Sequence, residues 1–190
     1  MVDKEQYVYV VLTQTGTLIS RTIKKFTRAP FNHASITTDK ELGEMFSFAR
    51  LNIKRPLPGG FIHEDISTGV FSLFSHIPCE IYGIRVTEEQ LERYNLLLDH
   101  FKEHTKLYSY NILGLLTVPL GIPLKRKTRF VCSQFVAFML EKSGAVEFQK
   151  DISLVTPDDF RFLDDAVLLY NGNIKEYSHQ KLYPIHNLSI

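Results

Sequence analysis

Residues 7–13, Tyr-Val-Tyr-Val-Val-Leu-Thr, form an unbroken β-branched and aromatic run. The run predicts a strand buried on both faces, with Gly16 marking the turn after it. Over residues 18–26 the apolar positions Leu18, Ile19, Ile23 and Phe26 recur at helical spacing among basic side chains, which predicts a short amphipathic helix halted by Pro30. Residues 33–38 and 45–49 read as two strands, and the polar stretch 39–44 with Gly43 reads as the hairpin loop that pairs them antiparallel. Strand-like runs follow at 61–74 and 79–86. Thr87 with Gln90 makes a capping box, and Leu91, Tyr94, Leu98 and Phe101 continue one apolar stripe, so a helix is predicted there. A second helix is predicted from Cys132 through Phe135, Val136, Met139 and Leu140 to a left-handed stop at Gly144. Thr156-Pro157-Asp158-Asp159 has the order of a short helix start, and Asn171-Gly172 between residues 167–170 and 173–177 has the signature of a two-residue hairpin turn. Strands paired mostly to sequence neighbours, with few helices, predict an α+β fold built on an antiparallel sheet.

At 190 residues the chain is expected to form a single domain over 1–190, and its 44% hydrophobic content excludes global disorder. The 22 basic and 21 acidic side chains leave a formal charge of +1, which argues against general nucleic-acid binding. Two cysteines, Cys79 and Cys132, make no disulfide framework and no zinc-ligand spacing, so a reducing, cytoplasmic setting is expected. Residues 1–5 do not read as a secretory signal. The uncharged apolar stretch 111–124 is interrupted by Gly114, Pro119, Gly121 and Pro123 and is shorter than the roughly 20 residues a membrane helix needs. No membrane span is predicted, and this stiff segment is expected to cap the core. The basic run 125–129 beside it reads as a solvated face or as a surface for anionic headgroups.

A cysteine nucleophile needs a setting that favours its thiolate and a base to exchange protons with. Cys132 opens a helix with Arg126, Lys127 and Arg129 nearby, so it reads either as a nucleophile in the field of the helix amides or as a buried helix residue. Cys79 sits inside a strand-like run and is assigned to packing. His33, between Asn32 and the small Ala34, has a favourable position for a base at the start of a core strand. His100 and His104 are spaced like metal ligands, yet with no third ligand they read as a solvated helix face, and no metal or other cofactor is expected.

The segments His33-Ala34-Ser35-Ile36, Lys106-Leu107-Tyr108-Ser109-Tyr110 and Phe130-Val131-Cys132-Ser133-Gln134-Phe135-Val136 together resemble the circularly permuted NlpC-type papain-like cysteine peptidases, the YiiX-like proteins, and the related lecithin:retinol acyltransferase family. The resemblance spans roughly residues 7–165 and rests on order, the histidine strand first and the cysteine helix last. It implies a papain-like permuted fold in which the cysteine helix packs against the antiparallel sheet, with Cys132 as nucleophile and His33 as general base. The third, orienting residue is implied on the strand beside the histidine strand, where Ser47 is the inward polar residue and Glu44 lies close behind. This departs from the more strongly polarising group often found there. The amide of Cys132 and the hydroxyl of Tyr108 resemble oxyanion and substrate-orienting groups, although Tyr108 equally fits a core aromatic. Arg50 and Glu64 read either as a salt bridge pinning a loop or as a polar wall of the cleft.

The function expected is a cysteine hydrolase that cleaves an amide bond in a peptide or peptidoglycan-derived fragment through a thioester acyl-enzyme. The alternatives are a lipid acyltransferase or thioesterase using the same Cys-His pair, or a binding module without catalysis. The expected partner is accordingly a small peptide or acyl substrate.

Overall fold

The computed structural model describes residues 5–15, 29–50 and 59–177. Six strands form one antiparallel sheet in the order β4-β3-β2-β1-β5-β8, with β1 Gln6–Thr13, β2 His33–Thr37, β3 Met45–Arg50, β4 Gly59–Glu64, β5 Pro78–Val86 and β8 Ala166–Asn173. A parallel pair of two-residue strands, β6 Ser109–Tyr110 and β7 Arg129–Phe130, stands apart. The helix expected over 18–26 lies outside the described residues.

Both faces of β1 are covered, which is why its sequence is apolar without alternation. Val8, Val10 and Leu12 join a core with Ala34, Ile36, Phe46 and Phe48 of the sheet and with helices α1 (Glu88–Glu103) and α3 (Cys132–Ser143). Tyr9 and Val11 face a second core with Met45, Phe71, Ile77, Cys79 and Leu169.

Helix α1 begins where its capping box places it: the Gln90 amide donates to Thr87 Oγ1 at 3.2 Å and the Thr87 amide to Gln90 Oε1 at 2.9 Å. Helix α3 ends at Gly144, whose φ of 78° is the left-handed geometry that favours glycine. Arg93 Nε donates to the Ser143 carbonyl at 2.9 Å and Gln90 Nε2 to that of Gly144 at 2.6 Å, so α1 covers the C-terminal end of α3. Phe135, Val136 and Met139 of α3 are fully buried against the sheet, where each large apolar side chain contributes roughly 1.5–3 kcal/mol.

Two expectations are corrected. Of the strand-like run 61–74 only residues 61–64, the end of β4, are strand; Asp65 then turns the chain by accepting from the Ser67 amide at 2.6 Å, and residues Phe71–Leu73 form one 3-10 turn. Asn171 and Gly172 are not a hairpin turn either. They lie within β8 opposite Glu80 and Cys79, and neither has the positive φ such a turn requires. The nine-residue edge of β5 offers them ladder partners that a local turn does not. Gly172 is needed there for another reason, because a Cβ would come within 2.8 Å of the Tyr170 hydroxyl.

The segment over 111–124 does not fold inward as a cap. It forms a short helix α2, Ile112–Thr117, then a 3-10 turn Val118–Leu120 and a left-handed Gly121 with φ of 67°, and it leaves Leu113, Leu120 and Ile122 exposed. Among the described residues no helix is long and apolar enough to cross a membrane.

Candidate active site

His33 is the first residue of β2 and Cys132 the first of α3. Alternation along the sheet puts His33, Ser35 and Ser47 on the face opposite Ala34, Ile36, Phe46 and Phe48. Glu64, the last residue of β4, shares that face. Its side chain reaches across the two small serines, and His33 Nε2 sits 3.0 Å from each of its carboxylate oxygens. Ser35 Oγ donates to Glu64 Oε2 at 2.6 Å and lies 3.2 Å from the same imidazole nitrogen. The two ionisable side chains are nearly buried, at 13% and 10% exposure, so little solvent screens their attraction.

Burial opposes the charged form of His33, but the Glu64 carboxylate, followed by the interaction with the Cys132 thiol, outweighs it and holds the imidazole pKa well above its ordinary value. Burial likewise opposes ionisation of Glu64. The charge of His33 and hydrogen bonds from His33 and Ser35 overcome it and lower the carboxyl below its usual range. The pair is an imidazolium and a carboxylate. Cys132 is 6% exposed and close enough to His33 for hydrogen bonding and Coulombic attraction to act between them. Nε2 is committed to Glu64, which leaves Nδ1 as the nitrogen available for proton exchange.

The carboxylate that holds the imidazole is Glu64 on β4, read from the sequence as either a loop salt bridge or a cleft wall, and it contacts the ring where Ser47 does not. Ser47 Oγ is fully buried beside Glu64 and helps lower its pKa without meeting the geometry of a full hydrogen bond. Glu44 lies in the β2–β3 loop, exposed, with its carbonyl accepting from Thr37 Oγ1 at 2.5 Å. Arg50 ends β3, and the expectation for its side chain lies outside the described part of the structure. Tyr108 packs among Phe48, Phe101 and Phe130, and its hydroxyl is engaged by His100 Nε2 at 3.0 Å. His104 stacks on His100 at 4.4 Å and donates from Nδ1 to the His100 carbonyl at 3.0 Å. Cys79 is buried in the second core, and burial first, then the charge of Glu80, pushes its thiol up to about 12.

Gln134, which sequence reasoning passed over, holds the cysteine turn in place. Its Oε1 accepts from the Val131 amide at 3.2 Å and from Asn111 Nδ2 at 3.3 Å, while its Nε2 donates to the Ser153 carbonyl at 2.6 Å. Beside it Ser133 Oγ donates to the Val155 carbonyl at 2.6 Å. The only signal was its place three residues after Val131, the capping position where a glutamine reaches back to the chain entering the helix.

Comparison with family models, with curated proteins and with solved structures finds no match to this chain.

Proposed function

We propose that the chain is a cysteine hydrolase with a permuted papain-like fold of the NlpC type, acting on amide bonds through a thioester acyl-enzyme. The observation that carries this reading is a histidine held by a buried carboxylate on one nitrogen and adjacent to a cysteine at a helix start. In the reacting form the proton of the Cys132 thiol is already held by the His33 imidazolium beside Glu64, and the thiolate attacks the carbonyl carbon to form a tetrahedral oxyanion. The first-turn amides of α3 have no intrahelical acceptor and favour negative charge at this end of the helix. Collapse breaks the C–N bond, and the His33 imidazolium protonates the departing amine. Water then attacks the thioester while His33 removes its proton, and Cys132 leaves as the thiolate. Glu64 keeps the ring in one orientation and stabilises the imidazolium in both halves.

A second reading, hydrolysis or transfer of a fatty-acyl group by the same residues, draws support from the exposed Leu113, Leu120 and Ile122. The two are separated by a thiol probe. Brief iodoacetamide treatment near pH 6 with mass mapping is expected to alkylate Cys132 and spare Cys79, whose thiolate is about a 10⁻⁶ fraction there. Short peptide amides are expected to protect Cys132. Protection by acyl thioesters alone would replace the amide reading with the acyl one, and preferential labelling of Cys79 would remove both.

A further inference from the structure

Five of the nine exposed large hydrophobic side chains among the described residues fall in one stretch: Leu107 at 61%, Ile112 at 40%, Leu113 at 49%, Leu120 at 71% and Ile122 at 51% exposure. Between Glu103 and Glu141 the sequence has no acidic residue, while Lys106, Lys125, Arg126, Lys127 and Arg129 all lie there. The remainder of the chain is net acidic, so the positive charge is concentrated in the same stretch of sequence as the protruding aliphatic side chains, and Arg126, Lys127 and Arg129 are exposed like them. Lys125 pairs with Asp151 at 3.0 Å, and among the described residues no acidic side chain pairs with Arg126, Lys127 or Arg129.

The stretch has a defined shape. Asn111 Oδ1 accepts from the Gly114 amide at 3.1 Å, the Ile122 amide donates to the Thr117 carbonyl at 3.1 Å, and left-handed Gly121 sets Leu120 and Ile122 on either side of a turn. Its base is tied to the candidate site, because Asn111 Nδ2 donates to Gln134, two residues beyond Cys132.

We propose that residues 106–129 form a peripheral docking surface for an anionic lipid bilayer, with Leu113, Leu120 and Ile122 entering the interface and Arg126, Lys127 and Arg129 meeting the headgroups. Nucleic acid would use the charges and leave the protruding aliphatics without a role. A neutral bilayer would use the aliphatics and leave the charges without one. The inference stands apart from the hydrolase reading, since docking needs neither His33 nor Cys132.

The test is co-sedimentation of the full chain with phosphatidylcholine vesicles, with and without roughly one-third phosphatidylglycerol, at low and moderate salt. Binding is expected only with the anionic lipid and is expected to weaken as salt rises. The double variant Arg126→Ala, Lys127→Ala should bind about 25-fold more weakly, fivefold for each charge lost. Leu120→Ser with Ile122→Ser should also lose binding, and Leu96→Ser, exposed on α1, should not. Because the chain has no tryptophan, Leu120→Trp introduces a lone tryptophan whose emission, excited selectively at the red edge beyond tyrosine absorption, should shift blue on anionic vesicles. Absence of sedimentation or of that shift overturns the proposal, as does loss through the charges alone or self-association through the aliphatics without vesicle binding. Sedimentation of Cys132→Ala is read in parallel, so that failed docking and failed catalysis are separate results.

Discussion

Glu64 bonds the imidazole, whereas the Ser47 hydroxyl has no hydrogen-bond partner among the described residues and acts only on the charge of Glu64, so the two should separate sharply on substitution. In Glu64→Gln the anion that raises His33 is gone while burial still opposes the imidazolium, and the histidine pKa should fall. Acylation of Cys132 should drop by about 10²–10⁴ because the ring loses both its orientation and the partner of its charge. Ser47→Ala should leave the histidine titration close to wild type and change acylation at most a few-fold. Histidine chemical shifts followed against pH, together with the rate of probe labelling, check both. A titration of His33 unchanged in Glu64→Gln would refute the assignment.

At the level of elements, the 3-10 segment Pro157–Phe162 is bound to β5 through one arginine. Arg161 Nε donates to Glu80 at 2.8 Å and Nη1 to Asp158 at 3.1 Å, while Tyr82 donates to the same Glu80 at 2.7 Å. Glu80 is 5% exposed, so its carboxylate depends on these donors for the interactions water would otherwise supply. Arg161→Ala leaves that charge with a tyrosine and the more distant Asn171, and should destabilise the fold by on the order of 3 kcal/mol. Glu80→Gln with Arg161→Ala should recover part of that loss. Urea unfolding of the three variants checks the coupling, and additive losses would show that the pair does not act as a unit.

The His33–Glu64 pair also ties the stability of the whole molecule to pH. A histidine raised above its ordinary 6.5 contributes fully below that pH and loses its contribution as pH rises through the higher folded value. A glutamate lowered below 4.5 contributes fully above that pH and loses its contribution as pH falls through the lower folded value. The stability difference between wild type and Glu64→Gln should therefore be largest between about 4.5 and 6.5 and shrink at both ends. Urea midpoints across pH check this, and a difference that grows steadily toward alkaline pH would contradict it.

Much of the frame was legible along the chain because its signals are local. The capping box at Thr87, the glycine after α3 and the doubly apolar run of β1 each concern neighbouring residues, and the coarse α+β class with its antiparallel sheet followed from them. The same locality picked out Cys132 at a helix start and His33 at a strand start. The carboxylate partner of His33 was not legible, because Glu64 and His33 lie 31 residues apart and meet across two intervening strand positions occupied by serines. Only the register shows that a glutamate on β4 is long enough to reach where a serine on β3 is not. Asn171-Gly172 carried a turn signal that the open edge of β5 overrode, since ladder partners satisfy more backbone groups than a tight turn does. For residues 111–124 the composition showed stiffness and apolarity but not direction. The bonds of Asn111 to Gly114 and Gln134 turn its aliphatic side chains outward, and that depends on where α3 begins in space.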